Sequence, residues 1–338
     1  MKVRYSSDCR PAAMSGDAEY FLGNVISRDV LKLVRQAALA LMIALGFAEG
    51  HGQEPAPAGG DELVTARGLV ARGDFKGAEA ELRARMAADG RPAEAGFLLG
   101  YVLLRQNRPK ESLAEYTRAA TLRTPAAEDL KNVADDYVLL EDFADADRWM
   151  LRAVRMSEKD ADLWYGLGRI RYSLQRFQDA VVCFQKALVL APGNVKAENN
   201  LGLAYEGLNR RDDAVVAYRQ ALEWQKDAAH PSEQPMLNLA IVYVDEEKLD
   251  EALPLLKKAA EIAPGNARIH EQLGQVFLKQ SKAEEARVEF EKAVDLAPDR
   301  GAYHYLLGRT YHRLGLEDKA KVEMDRAAAL NGTHSTPE

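Results

Sequence analysis

Residues 162–193 read DLWYGLGRIRYSLQRFQDAVVCFQKALVLAPG. Leu167 and Gly168 stand one helical turn before Arg171 and Tyr172, and Ala180 stands one turn before Phe184, with Ala187 a further turn on. Such spacings gather residues onto one face of a helix. The stretch therefore predicts two amphipathic helices, A and B, joined by a short turn from Ser173 to Phe177. Pro192 cannot continue helix B, and Gly193 supplies the turn residue after it.

The same pattern extends in both directions. Gly168 belongs to a column of small residues, Ala66, Gly100, Ala134, Gly168, Gly202, Ala240, Gly274 and Gly308, with every interval 34 residues except the 38 from Gly202 to Ala240. Twelve residues after each stands Ala78, Ser112, Ala146, Ala180, Ala214, Ala252, Ala286 or Ala320. Four further on comes a bulky residue: Leu82, Tyr116, Met150, Phe184, Tyr218, Leu256, Phe290 or Met324. Three beyond that, every repeat but the first (Arg85) has alanine, from Ala119 to Ala327. A fixed period of this length marks an array in which each helix pair buries its apolar face against its neighbours. The small residue lets helix B approach helix A, and the bulky residue fills the space beside the next repeat's helix A. Pro264 with Gly265, and Pro298 with Asp299, end later B helices as Pro192 does.

These residues resemble the tetratricopeptide-repeat family. Trp164, Leu167, Gly168, Ala180, Phe184, Ala187 and Pro192 carry the likeness in one repeat, and Leu273, Gly274, Phe277, Ala286, Phe290, Ala293 and Pro298 carry it in another. Arg171 stands where the family usually has Tyr or Phe, and Thr65 and Arg85 depart from the pattern in the first repeat. The resemblance implies an all-α, right-handed superhelical α-solenoid of helix-turn-helix repeats. Eight repeats are expected within residues 59–334: 59–92, 93–126, 127–160, 161–194, 195–228, 233–266, 267–300 and 301–334, with 335–338 as a tail. The extra residues fall in or near DAAHPSEQP, 227–235, and read as a tolerated surface insertion. The alternative is a looser joint between an amino-terminal and a carboxyl-terminal block. At the carboxyl end, Lys319, Lys321, Glu323, Asp325 and Arg326 are expected to make the last B helix polar enough to face water.

Residues 1–58 read differently. Ala37 to Ala48 form an unbroken apolar run, AALALMIALGFA, preceded by Lys32 and Arg35 and followed by a small-residue, Pro-containing segment. Basic, apolar, then small and polar is the layout of a secretory signal peptide. The run is shorter than the roughly 18 residues a membrane span needs. The stretch ahead of it is long for such a leader and carries Asp8, Asp17, Glu19 and Asp29; initiation at Val30 would give an ordinary one. The expectation is export to the periplasm or beyond, with a retained leader and a cytoplasmic or membrane-tethered protein as the alternative.

Composition narrows the function. Among 338 residues, 45 Lys and Arg stand against 52 Asp and Glu, a net −7 that does not suit a phosphate backbone, so no nucleic-acid partner is expected. Two cysteines, Cys9 and Cys183, exclude a disulfide scaffold and a four-thiolate zinc site. His270 and His304 share a column of adjacent repeats where a large side chain packs, and no HExxH spacing accompanies them. Gly166-Leu-Gly168 only echoes a dinucleotide loop and lies inside a helix. No enzyme, metal or cofactor is expected.

The surface remains. In arrays of the resembled family, helix A lines a concave groove, and the residues two before the small column face it. Here those are Val64, Leu98, Asn132, Gly166, Asn200, Asn238, Gln272 and Leu306. Asn132, Asn200, Asn238 and Gln272 resemble in part the asparagine ladder with which some relatives hold a peptide backbone, a task suited to an amide that both donates and accepts. The other reading is that they are solvated amides. Tyr101, Tyr165, Arg169 and Arg309 join them on A helices, and Tyr165, Arg169 and Asn200 form the leading patch. The two-carboxylate clamp of chaperone-cofactor relatives is not matched, because Asp135 and Gly166 stand where Asn is needed. The sequence thus predicts a non-enzymatic scaffold that holds a peptide or helical segment of a protein partner. An adaptor that recruits a catalytic partner is the alternative.

Overall fold

The structure, a computed structural model, describes residues 63–88 and 92–332; the leader, with its signal-peptide reading, and the tail lie outside the described residues. The described residues hold sixteen helices in tandem and no strand. They fall into two compact units, divided between Pro125 and Ala126.

The first unit contains α1 (Val64–Ala71), α2 (Phe75–Ala88), α3 (Ala93–Arg105) and α4 (Pro109–Ala120). The second contains α5 (Ala127–Leu139), α6 (Phe143–Met156), α7 (Ala161–Ser173), α8 (Phe177–Leu190), α9 (Val195–Gly207), α10 (Arg211–Trp224), α11 (Gln234–Asp245), α12 (Leu249–Ile262), α13 (Ala267–Lys279), α14 (Ala283–Leu296), α15 (Gly301–Arg313) and α16 (Glu317–Gly332). Odd-numbered helices are the A members and even-numbered ones the B members. Each A helix packs most heavily against the B helix that follows it.

The periodic columns explain why. At Gly168 an added Cβ would lie 2.6 Å from the Phe184 ring, and at Gly202 it would lie 2.4 Å from the Tyr218 ring. Gly100 meets Tyr116 and Gly274 meets Phe290 in the same way. The small residue is therefore the seat of the bulky residue of its own repeat. Phe184 also clusters with Leu201 and Ala204 of the next A helix, so one ring joins three helices. The alanines at both ends of this ladder are fully buried or nearly so. Ser112, which replaces the first of them in one repeat, donates its hydroxyl to the Gly100 carbonyl at 2.8 Å.

Every A helix ends alike. The residue after its cap takes φ between 57° and 76°: Gly73, Asn107, Glu141, Gln175, Asn209, Glu247, Ser281 and Gly315. The next amide then reaches back to a carbonyl five residues earlier, at 2.8–3.0 Å in all eight turns. This is a Schellman closure, which reverses the chain within three residues and delivers it to helix B. The B helices stop two residues before Pro192, Pro264 and Pro298, as proline's steric demand on its predecessor requires.

The insertion at 227–235 lies inside the second unit, and α10 and α11 on either side of it still pack together. Its register is held by Gln225, 4% exposed, whose side chain donates to the Ser232 carbonyl at 2.8 Å and accepts from its amide at 2.9 Å. The division into units therefore does not coincide with the lengthened turn. Among the described residues, no helix is long and apolar enough to cross a membrane.

Candidate functional site

In the second unit the A helices of neighbouring repeats also touch one another, α7 with α9, α9 with α11 and α11 with α13. Their exposed face is concave. Arg268 on α13 acts electrostatically on the Tyr172 hydroxyl on α7 and on Glu206 on α9, which a straight row of helices would keep far apart.

Two lateral hydrogen bonds cross this face from one A helix to the next. Asn200 Nδ2 donates to the Tyr165 hydroxyl at 3.1 Å, and Asn238 Nδ2 donates to Asn199 Oδ1 at 3.0 Å. Tyr165 is fixed from two further sides: its ring lies tilted against Phe184 at 6.0 Å, and the Arg169 guanidinium stands over it at 5.9 Å. Tyr165, Arg169 and Asn200 are thus brought together as one patch, with Arg169 exposed and the other two half-buried. Beside it, Lys131 Nζ lies 3.5 Å from Asp135 Oδ2. Burial pushes the Asp135 carboxyl up, and Lys131 and Arg169 only partly offset that.

The remaining ladder amides are placed differently. Asn132, Asn238 and Gln272 are 4, 5 and 8% exposed, so they are not solvated surface groups. Gln272 donates to Glu271 at 3.4 Å. Of the four amides, Asn200 presents the most side chain to the face. At the far end of the unit, Tyr305 is 47% exposed and carries the Arg309 guanidinium at 5.7 Å. Tyr101, in the first unit, accepts a hydrogen bond from Arg105 at 2.7 Å and carries its guanidinium over the ring. Phe97 is 4% exposed and belongs to that unit's core.

Leu203 and Ile241 occupy the position of Arg169 in the next two repeats, and both are half-buried on the A-helix face. Sequence reasoning did not single them out, although the column that contains Arg169 and Arg309 already held them.

Other side chains of chemical interest are structural. His270 Nδ1 lies 2.6 Å from Glu289 and its Nε2 lies 3.0 Å from the Pro264 carbonyl; His304 repeats this with Glu323 and Pro298 at 2.6 and 2.9 Å. Each histidine ties helix A to its own helix B and to the preceding turn. Cys183 is fully buried, and burial pushes its thiol up to about 11, the range of an unreactive thiol. Among the described residues, no group of three or more His, Cys, Asp or Glu side chains is arranged to hold a metal ion.

Comparison with known proteins agrees with the repeat fold. Models described as tetratricopeptide repeat match residues 63–127, 161–194, 196–227, 243–309 and 302–334. A tetratricopeptide-repeat protein from Parabacteroides merdae superposes with a TM-score of 0.58 at 21% identity, over 73% of this chain and 96% of that one. The type IV pilus biogenesis factor PilW superposes with a TM-score of 0.54 at 20% identity, over 63% of this chain and 95% of that one. At such identities the likeness is one of fold. Among curated proteins, the peroxisomal targeting signal receptor of Candida albicans is 38% identical over 64 residues, 19% of this chain and 11% of its own length. The mouse protein O-mannosyl-transferase TMTC3 is 26% identical over 137 residues, 37% of this chain and 15% of its own length. The chain thus spans less than a fifth of the length of either relative.

Proposed function

The chain belongs to the tetratricopeptide-repeat family, and from that premise we propose that it is a non-enzymatic scaffold holding a peptide or helical segment of a partner protein against the A-helix face of its second unit. The observation that carries this is the Tyr165–Arg169–Asn200 patch, where an aromatic ring is locked in place by an amide from the next repeat while an arginine stays open to solvent. Tyr and Arg are the residues that most often anchor interfaces, and a pre-organised anchor loses little entropy on binding. Half-buried Leu203 beside the patch adds apolar area. The peroxisomal targeting signal receptor, similar over a short segment, is by its name a receptor for a targeting signal, which accords with a binding role.

The leader's layout supports export, so the partner would be an envelope or secreted protein. Expression with fractionation and terminal mass spectrometry tests this: a processed protein beginning near Glu49 to Gln53 is expected, and an unprocessed cytosolic protein would move the search inside the cell. The binding reading is tested by Arg169→Ala and Asn200→Ala together. Partner binding should weaken by about 1–3 kcal/mol with the helical circular-dichroism signal unchanged. Unchanged binding would place the interface elsewhere.

A further inference from the structure

Resting on that reading, we infer that the groove takes a segment with an apolar middle and acidic ends, each end meeting one arginine–tyrosine pair. One column of helix A residues runs Arg169, Leu203, Ile241, Gln275 and Arg309 from α7 to α15. Its outer members are exposed guanidinium groups, each held over a tyrosine of its own helix, at 5.9 Å from Tyr165 and 5.7 Å from Tyr305. Of its inner members, Leu203 and Ile241 are half-buried aliphatics that pack against the core cluster beneath, and Gln275 donates to Glu271 at 2.5 Å.

Three features make the two ends acid-binding. First, neither Arg169 nor Arg309 forms an ion pair among the described residues. Asp135, the carboxylate that Arg169 feels through space, is already bonded to Lys131. Second, a guanidinium laid over an aromatic ring keeps its planar edge of N–H donors free, the geometry that a carboxylate accepts in pairs. Third, Leu203 and Ile241 offer no partner to a charged residue, so a segment charged where it crosses them would lose hydration without compensation. Among the nearby carboxylates, Glu206 and Glu271 act electrostatically on Arg268, and Asp135, which acts on Arg169, is held by Lys131. From α7 to α15 there are four steps between neighbouring A helices, on the order of 40 Å along a straight row and less across a concave face. At most about twelve residues of extended chain cover that distance.

Selection from a display library of random peptides, each about twelve residues long, on the full chain tests the inference. The enriched peptides should carry Asp or Glu near both ends around an apolar middle. The exposed double variant Arg169→Glu with Arg309→Glu should bind them more than about tenfold more weakly and should enrich Lys- or Arg-ended peptides instead. Enriched peptides without acidic ends that are still lost in Leu203→Asp would overturn the charge assignment and keep the groove. Peptides indifferent to all three substitutions, or no enrichment at all, would overturn both.

Discussion

Glu198 shows how one side chain departs from its column. The same position holds His270 and His304 two and three repeats later, each with two hydrogen-bond partners, whereas Glu198 is 9% exposed and its repeat has Ala217 at the position of Glu289. Burial alone pushes its carboxyl up. A glutamate whose folded pKa is raised favours the fold while protonated. That contribution is present below the unfolded pKa of about 4.3 and is lost as the pH rises through the folded value. Glu198→Gln should therefore raise the melting temperature at pH 7 and change it little at pH 4, where wild type and variant are both neutral at this site. Equal gains at both values would contradict the assignment. The A–B turn offers a second case at this scale. Gln175 holds φ at 57°, where a side chain crowds its own backbone. Gln175→Gly should stabilise the protein by roughly 1 kcal/mol in urea unfolding, and a loss would mean that its side chain supports the turn.

Between elements, the bulky residue of helix B is the joint. Phe184 is fully buried between Gly168 of its own repeat and Leu201 and Ala204 of the next. Phe184→Ala should cost about 3–5 kcal/mol, because the rigid A-helix backbone at Gly168 cannot collapse into the void. Unchanged melting would contradict the packing of this column. Arg171, the family's aromatic position, is explained at the same scale. Its Nε donates to Asp147 on α6 at 3.0 Å, both side chains are about nine-tenths buried or nearly so, and its Nη1 reaches Cys183 at 3.4 Å. The lost ring is replaced by an ion pair between repeats, and a double-mutant cycle on Arg171 and Asp147 should show coupling of about 0.5–3 kcal/mol. Pro254 is the reverse case, an exposed proline inside α12 where neighbouring repeats have Val216 and Val288. Nothing in the structure explains why it is there.

For the molecule as a whole, the repeat architecture was legible because its columns obey a single period that any side chain in a seat must follow. Spacing alone marked the columns of Gly168 and Phe184 and the contact with the next helix A, but not that the ring also seats on the glycine of its own repeat. The groove was less legible. Its lateral bonds join residues 35 apart, Asn200 to Tyr165, and 39 apart, Asn238 to Asn199. Neither separation is the period, since the bonds depend on the offset between adjacent A helices rather than on the repeat. That offset also buries Asn132, Asn238 and Gln272, which sequence alone grouped with Asn200. The Schellman turns were missed because only Gly73, Asn107, Asn209 and Gly315 carry the residue types that favour positive φ. The division at Pro125 left no trace because the interval from Gly100 to Ala134 keeps its 34 residues across it.

The central claim is that the second unit works through the face of its A helices. Hydrogen–deuterium exchange on the full chain, with and without a peptide selected on it, reads that face directly. The account predicts that binding slows exchange in α7, α9 and α11 while α8, α10 and α12 stay as they are. Protection confined to those B helices would contradict it.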